Sequence, residues 1–317
     1  MAVPVAALEN SRFAGWTATP LAGDASSRRY WRLSDRAGAT AILMDNGAPD
    51  GNGFPELRRL TRHLSALGFV VPEILHIEAE RRFAVLTDLG SDTLGLQIRK
   101  TPAEEPALLS GVVDILALLG QSPTPPGLAV LTPQVGAAMI APLFDAAAFD
   151  APKSLRDELA SRIRDALETQ CDPPATLSLR DFHAENIIWR RNETGVQRFG
   201  LLDYQDAFVA APEYDLASLV RDVRRDVSDE ARFLSLATFA EKSGKSLDAV
   251  TTACATLALQ RNLRILGIFA KLAGELGKTR YLRYLPRTVR LIREDASHPS
   301  LSTLAGPVEQ VLRYVSL

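Results

Sequence analysis

The stretch "LSLRDFHAENIIW", residues 177–189, decides how the rest of the chain is interpreted. It places three polar or charged residues, Arg180, Asp181 and His183, just before an apolar run, and Asn186 follows Asp181 by five positions. An apolar run of this length after a polar segment is typical of a short buried strand. We therefore expect a loop that carries Asp181 and Asn186 and leads into a strand.

A second acid follows in "FGLLDYQDA", residues 199–207, where Asp203 comes directly after four apolar or glycine residues. Mg²⁺ prefers carboxylate and amide oxygens, so Asn186 and Asp203 form a candidate metal pair. Asp181 is then left to accept the proton of an attacking hydroxyl, as in kinases. The alternative is that Asp181 caps a turn and Asn186 satisfies the loop backbone. The order of loop aspartate, loop asparagine, strand, turn, strand and acid favours the kinase interpretation.

Composition argues against several functional classes. The length of 317 residues favours two lobes, or one domain with a smaller appendage. A net charge of −2 gives no electrostatic reason to expect nucleic acid or an acidic membrane as a partner. Two cysteines are typical of a reducing cytosol, and we recognise neither a signal peptide nor an apolar run of ~18 residues. We therefore expect a cytoplasmic enzyme or binder, with no obligate protein partner evident.

The pattern of apolar residues changes along the chain. Residues 1–90 contain short β-branched or aromatic segments that predict strands, among them "RRYWRL" and "TAILMDNG". They surround one predicted helix, in which apolar residues recur at helical spacing from Phe54 to Leu67. Residues 91–317 have mainly helical periodicity, with helices expected over 103–120 and 152–170, interrupted by a loop and strand segment over 173–206. The sequence therefore predicts an α+β protein with a small β-rich N-terminal lobe, residues 1–90, and a larger α-helical C-terminal lobe, residues 91–317.

Six segments, taken in order, resemble the aminoglycoside phosphotransferase and choline kinase superfamily. The main ones are "LRDFHAENIIW" with "LLDYQDA", the nucleotide-loop segment "GDASSRRYWRL", the hinge segment "VLTDLG" and the helix "YDLASLVRD". The segment "LQRNLRILGIFAKLAGELGKTRYLRYLPR" is similar to the C-terminal helical signature of one bacterial subgroup, the cell-wall amino-sugar kinases. Members of that subgroup phosphorylate the anomeric hydroxyl of N-acetylmuramate or N-acetylglucosamine.

The resemblance implies a two-lobed, protein-kinase-like fold that uses ATP and Mg²⁺ and acts on a small hydroxylated substrate. It makes Asp181 the catalytic base and Asn186 and Asp203 the magnesium ligands. Asp215 would brace the catalytic loop by accepting its backbone N–H groups, with Arg180 as further structural support. The alternative for Asp215 is an acid in the first turn of a helix, stabilised by the helix dipole.

Two further sets of residues are candidates for ligand contacts. Those expected to bind the nucleotide are Ser26, Ser27, Arg28, Arg29, Glu56 and Asp88. The small side chains of Ser26 and Ser27 would let backbone N–H groups approach phosphate, and a surface β-turn is the alternative. Those expected to contact the substrate are His183, Gln205 and Asp206. A hydrogen-bonded loop histidine is an equally good interpretation of His183.

The sequence departs from the kinase pattern at one position. Kinases place a lysine on the strand after the nucleotide loop, and Met44 stands there in this chain. Arg28 and Arg29 are candidate substitutes, since arginine is permanently charged and binds phosphate with two donors. Their alternative role is to flank a strand with solvated charges. Glu56, which would pair with the lysine, is then a candidate to orient an arginine.

Three functions compete for this sequence. The leading hypothesis is an ATP-dependent amino-sugar kinase acting at the anomeric hydroxyl, and the second is an aminoglycoside or other amino-alcohol phosphotransferase. The third is a nucleotide-binding pseudokinase with a regulatory role, which Met44 and Leu179 favour. Ala211-Pro212-Glu213 begins only eight residues after Asp203, which leaves no room for a peptide-docking segment and favours a small substrate. The basic C-terminal helical region favours an anionic sugar, although a solvated helix face is the commoner reason for such a charge run.

Overall fold

The structure is a computed structural model that describes residues 8–9, 11–21, 28–47, 54–79, 82–145 and 151–314. Within these residues the β-strands are Thr17–Pro20 (β1), Arg29–Ser34 (β2), Thr40–Asp45 (β3), Ile74–Glu78 (β4), Phe83–Thr87 (β5), Thr176–Ser178 (β6), Ile187–Trp189 (β7), Phe199–Leu201 (β8) and Phe208–Ala210 (β9). The α-helices are Phe54–Ala66 (α1), Leu94–Lys100 (α2), Glu105–Gln121 (α3), Pro133–Ala138 (α4), Pro142–Asp145 (α5), Lys153–Gln170 (α6), Tyr214–Val220 (α7), Asp229–Ser243 (α8), Leu247–Gly274 (α9), Leu285–Ala296 (α10) and Ser302–Leu312 (α11).

The chain divides into two compact units whose bounds differ from the predicted lobes. The first unit comprises residues 1–97 and 185–206, and the second comprises residues 98–184 and 207–317. The hairpin of β7 and β8 belongs to the first unit because its backbone bonds to it: Leu201 N–H donates to Val70 O at 2.8 Å, and Trp189 N–H donates to Asp92 O at 2.7 Å. The sequence-based division at residue 90 assigned this hairpin to the helical lobe, since bonds between distant segments leave no local signal.

The first unit is built on an antiparallel sheet with the strand order β1-β2-β3-β5-β4. Trp31 and Leu33 of β2 and Leu43 of β3 point to one face and form a buried core. Successive side chains alternate across a strand, so Tyr30 and its cross-strand partner Met44 point to the other face. The predicted strands in "RRYWRL" and "TAILMDNG" and the predicted helix α1 are confirmed, whereas β1 was not predicted.

The second unit is organised around α9. Ser246 caps this helix by accepting the Ala249 N–H at 3.2 Å, and most residues from 250 to 273 are buried. Helices α5, α6, α7, α8 and α10 pack against it. The helices predicted over 103–120 and 152–170 are confirmed as α3 and α6. Strand β6 pairs with β9, which fixes the point from which the loop carrying Asp181 begins.

No helix in the described part of the chain is both long and apolar enough to cross a membrane. This finding agrees with the lack of any long apolar segment in the sequence.

Gly267 sits where α9 meets the start of α5. A Cβ atom at this position would lie 2.2 Å from the Leu143 backbone nitrogen and 2.3 Å from the Pro142 carbonyl carbon. These are backbone atoms, so a side-chain rotation cannot relieve the overlap. The close approach of the two helices therefore requires glycine at this position.

We expect Gly267→Ala to lower the free energy of unfolding by about 1–3 kcal/mol, the usual cost of overpacking a well-packed core. Gly274→Ala, at the exposed end of the same helix, is the matched control, because a Cβ there has open space. Alanine at this position should be neutral or should stabilise by up to about 1 kcal/mol. Urea denaturation of both variants measures the difference. Equal stability of the two variants would show that α5 and α9 do not meet as described.

Candidate active site

The loop after β6 is anchored by the carboxylate of Asp215. This side chain lies in the first turn of α7 and is buried. It accepts the backbone N–H of Leu179 at 2.6 Å and of Arg180 at 3.1 Å, and it accepts the Ser178 hydroxyl at 2.8 Å. Asp215 therefore has the geometry that a bracing carboxylate requires. It also lies in the first turn of a helix, where the helix dipole stabilises an acid, as the alternative interpretation proposed.

Arg180 has an unusual backbone conformation. Its φ angle of 72° lies in the left-handed region, which costs a non-glycine residue roughly 1–2 kcal/mol. The hydrogen bond from its N–H to Asp215 holds it there. Because the Arg180 backbone is strained and held in place, it sets the direction in which the side chain of the next residue, Asp181, points.

Asp181 is held by a second contact within the same unit. The guanidinium of Arg261 on α9, itself 3% exposed, donates to Asp181 Oδ1 at 3.1 Å. The same Nη2 lies 3.5 Å from the carbonyl oxygen of Arg180. The Asp181 side chain is 38% exposed, so it is fixed in orientation yet open to a ligand.

Asp215 has a perturbed pKa. Burial raises the pKa of this carboxyl, while the hydrogen bonds from Leu179 and Ser178 and the charge of Arg261 lower it, and the result is a pKa of about 6. Between its ordinary value of 3.8 and about 6, the folded protein holds a proton that the unfolded chain has released. Stability is therefore lost as the pH rises through this window.

We expect the wild type to lose about 2 kcal/mol more unfolding free energy than Asp215→Asn between pH 4.5 and pH 7, because each pKa unit corresponds to about 1.4 kcal/mol. Other titrating groups are common to both proteins and cancel in this difference. Urea denaturation at both pH values measures it, with the exposed Asp229→Asn as a control that should follow the wild type. Parallel pH dependences of wild type and Asp215→Asn would contradict the assignment.

His183 is buried, at 1% exposure. Within the described residues neither of its ring nitrogens has a hydrogen-bond partner. Burial lowers its pKa well below the ordinary value, and the nearby charges of Arg224 and Arg261 lower it further. The imidazole is therefore neutral at pH 7. A substrate contact by His183 stays a prediction, and the hydrogen-bonded alternative does not describe this side chain.

Asn186 and Asp203 lie at the same end of the hairpin formed by β7 and β8. Ile187 pairs with Leu201 in this hairpin, and the next N–H, that of Leu202, donates to the Asn186 carbonyl at 2.9 Å. Asp203 follows with a left-handed φ of 57°, and its Oδ1 accepts a hydrogen bond from Gln205 at 2.5 Å. Register therefore brings an amide and an oriented carboxylate close together.

The donor set of this pair fits Mg²⁺, which favours one or two protein oxygens completed by phosphates and waters. The described residues contain no group of three or more histidine, cysteine, aspartate or glutamate side chains suited to a metal ion. A cation at Asn186 and Asp203 would need further oxygen ligands, which phosphates and waters provide. A nucleotide supplies such oxygens.

Arg28 occupies a buried position beside the same hairpin, at 8% exposure. Its guanidinium donates to both carboxylate oxygens of Asp206, at 2.8 and 3.3 Å, and to Asn46 Oδ1 at 3.2 Å. Burial alone would lower the pKa of Arg28, but Asp206, Tyr30 and Asp203 raise it above its ordinary value. The structure thus places a permanent cation near Asp203 and pairs Asp206 with it.

The other residues expected to bind nucleotide have different surroundings. Arg29 is about half exposed and pairs with Asp45. Asp88 accepts two bonds from Arg32, at 2.6 and 3.1 Å.

Burial raises the pKa of Asp88, but the bonds from Arg32 and from the Gly90 N–H outweigh this and lower it. Glu56 pairs with Arg59 of its own helix. Ser26 and Ser27 lie outside the described residues.

Sequence reasoning did not single out Arg261. It stands inside a helix whose neighbouring residues are largely apolar, and a charged residue in such a position needs a partner when buried. That local contrast was the available signal. The partner, Asp181, is 80 residues away in the chain and could not be found from spacing.

The fold and these two loops define a class, a small-molecule phosphotransferase with a protein-kinase-like fold. The model of the phosphotransferase enzyme family matches residues 17–240, and the chain belongs to this family. The resemblance inferred from the sequence is therefore confirmed.

The chain is 30% identical to an N-acetylmuramate/N-acetylglucosamine kinase of Caulobacter vibrioides, over 90% of this chain and 89% of the relative. Among solved structures, a choline/ethanolamine kinase family protein from Mesorhizobium loti aligns with a TM-score of 0.64 at 17% identity, over 96% of this chain and 97% of the other. A thermostable mutant of an aminoglycoside phosphotransferase, solved with ADP and hygromycin B, aligns with a TM-score of 0.63 at 15% identity, over 94% and 100% of the two chains. These structures confirm the predicted α+β, protein-kinase-like fold.

Proposed function

We propose that this protein is an ATP- and Mg²⁺-dependent kinase that phosphorylates an amino sugar, N-acetylmuramate or N-acetylglucosamine, at the anomeric hydroxyl. The observation that carries the proposal is Asp181, an exposed carboxylate on a loop braced by Asp215 and oriented by Arg261. The acceptor class is supported by the name of the relative that aligns over most of the chain. A cytoplasmic location belongs to the same proposal and is supported by the low cysteine content.

The roles follow the chemistry of the side chains. Asp181 orients the acceptor hydroxyl and accepts its proton, a contribution of about 10²–10⁴ in rate for a positioned base. Arg261 and the strained backbone at Arg180 hold the carboxylate in place, so its orientation costs no rearrangement during the reaction. We assign the second unit to acceptor binding and the first unit to nucleotide binding.

Asn186 and Asp203 are the proposed magnesium ligands. When bound, Mg²⁺ supplies positive charge that neutralises the nucleotide phosphates. Gln205 keeps the Asp203 carboxylate oriented through its 2.5 Å hydrogen bond, so we assign Gln205 a positioning role.

Arg28 is the proposed replacement for the missing kinase lysine. Met44 and Tyr30 are cross-strand partners on one face of the sheet, and Arg28 precedes Tyr30 by two positions, so its side chain emerges on that same face. Asn46 and Asp206 hold the guanidinium there. Arg28, the residue before β2, would thus supply to a nucleotide phosphate the charge that is absent at Met44.

We expect Asp181→Asn to lower kcat by at least about 10²-fold, because the amide has no basic oxygen for the proton. ADP release from Mg-ATP measures turnover with N-acetylmuramate, N-acetylglucosamine, choline and kanamycin as acceptors. Nucleotide affinity, measured by calorimetry, should stay within about 3-fold of the wild type, a difference of under 1 kcal/mol. We expect this because Asp181 is assigned to the acceptor and not to the nucleotide.

Choline and kanamycin test the amino-alcohol alternative directly. If the wild type phosphorylates only choline or only kanamycin, that compound replaces the amino sugar as the proposed acceptor. Nucleotide binding without turnover of any acceptor would favour a regulatory pseudokinase, the alternative supported by the buried Met44.

Arg28→Met should raise the KM for ATP or lower kcat, giving a loss of about 10–100-fold in kcat/KM, the worth of a charge-assisted hydrogen bond. Arg28→Lys should retain part of the activity because it keeps the charge. Arg29→Met should have little effect, since Arg29 is half exposed and paired with Asp45. Steady-state kinetics with varied ATP separates the three variants. A larger loss in Arg29→Met than in Arg28→Met would reverse the assignment.

A further inference from the structure

Two arginines beside Asp181 form no ion pair within the part of the chain that the structure describes. Arg180 precedes Asp181 directly, and Arg264 follows Arg261 by three positions on α9. Residues three apart on a helix are neighbours, with Cβ atoms about 5–6 Å apart, so Arg264 lies one turn from the guanidinium that contacts Asp181. Across the residues that the structure describes, neither the Arg180 nor the Arg264 side chain forms a hydrogen bond or an ion pair.

The lack of a partner stands out within the second unit. The buried guanidinium of Arg221 pairs with Asp295 at 2.6 Å, Arg225 pairs with Glu105, and Arg261 pairs with Asp181. These pairs offset the cost of removing a charge from water.

Arg264 and Arg180 carry the same charge, and both side chains are partly buried. Burial lowers the pKa of Arg264, and the charge of Arg180 lowers it further, although Tyr214 and Asp181 partly offset these effects. The one carboxylate beside these two cations, Asp181, is already bound by Arg261, so an added anion would relieve both their repulsion and their loss of solvation.

A third hydrogen-bonding group belongs to Tyr214, the residue directly before Asp215, whose carboxylate accepts the Arg180 N–H. The Tyr214 hydroxyl at the start of α7 is buried, at 1% exposure, and has no hydrogen-bond partner within the described ranges. Burial raises its pKa, and the charges of Arg261, Arg264, Asp181 and Arg180 act on it as well. Leaving a buried hydroxyl unpaired costs about 1–3 kcal/mol, so the group is poised for a ligand.

We propose that Arg264, together with Arg180 and the Tyr214 hydroxyl, binds a carboxylate of the acceptor and thereby selects an acidic sugar over its neutral counterpart. This inference rests on the proposed function, because it takes Asp181 as the residue that meets the acceptor hydroxyl. N-acetylmuramate carries a carboxylate on a short ether arm that N-acetylglucosamine lacks. A separation of one helical turn suits a ring with its reacting hydroxyl at Asp181 and its carboxylate at Arg264.

The test compares the two sugars in wild type, Arg264→Gln and Arg264→Lys. We expect Arg264→Gln to lower kcat/KM for N-acetylmuramate by about 10–100-fold and to leave N-acetylglucosamine within about 2-fold, because only the first sugar loses a charge-assisted bond. Arg264→Lys should recover part of the loss. Lys271→Gln, an exposed position on the same helix, removes the same charge and should leave both sugars unchanged.

The outcomes separate the possible anions. An equal loss for both sugars would overturn the proposal, because it would assign Arg264 to the transferred phosphoryl group or to the support of Asp181. Unchanged kinetics for both sugars would overturn it as well.

If the wild type phosphorylates neither sugar, the proposed function fails and the inference is tested by binding alone. Calorimetry should then show N-acetylmuramate binding to the wild type about 10-fold more tightly than to Arg264→Gln. Equal affinities would overturn it.

Discussion

The carboxylate of Asp215 is the contact on which the proposed chemistry depends. It accepts two consecutive backbone N–H groups of the loop, from Leu179 and Arg180, and so holds Arg180 in a left-handed conformation that the chain would otherwise leave. The direction of Asp181 follows from that constraint. Burial of Asp215 has a free-energy cost, because it destabilises the charged carboxylate and raises the pKa of Asp215 to about 6. The backbone N–H groups of Leu179 and Arg180 and the Ser178 hydroxyl all donate to this carboxylate, and together they offset part of that cost.

In the proposed function, Arg28 supplies the positive charge that Met44 lacks. Met44 takes a position that a kinase lysine would hold, and its buried, apolar side chain fits the face of the sheet where Tyr30 packs opposite it. Arg28, one residue before β2, is a permanent cation, and Asp206 orients it through two hydrogen bonds. A rigid guanidinium held by an acid and by Asn46 is better oriented than a flexible ammonium, which makes the exchange chemically reasonable.

Local patterns were enough to predict most strands and helices, and the order of polar residues was enough to select Asp181, Asn186 and Asp203 as candidates. The contacts that position them were beyond reach. The bond between Arg261 and Asp181 joins residues 80 positions apart, and the pair of Arg28 and Asp206 joins residues 178 positions apart. The grouping of the β7 and β8 hairpin with the first unit depends on backbone bonds of the same kind. Sequence periodicity reports which face of an element is buried, but not which distant side chain lies against it.

Helix α9 joins the stability of the second unit to its chemistry. At Gly267 it approaches the start of α5 so closely that no side chain fits, and six residues earlier it presents Arg261 to Asp181. Because packed helices resist small displacements, the position of Arg261 is fixed by the whole helical core rather than by its loop partner. Arg264 shares that rigidity, so an anion bound there would be held in a defined place relative to the base. Recognition of the acceptor would then depend on the same packing that stabilises the fold.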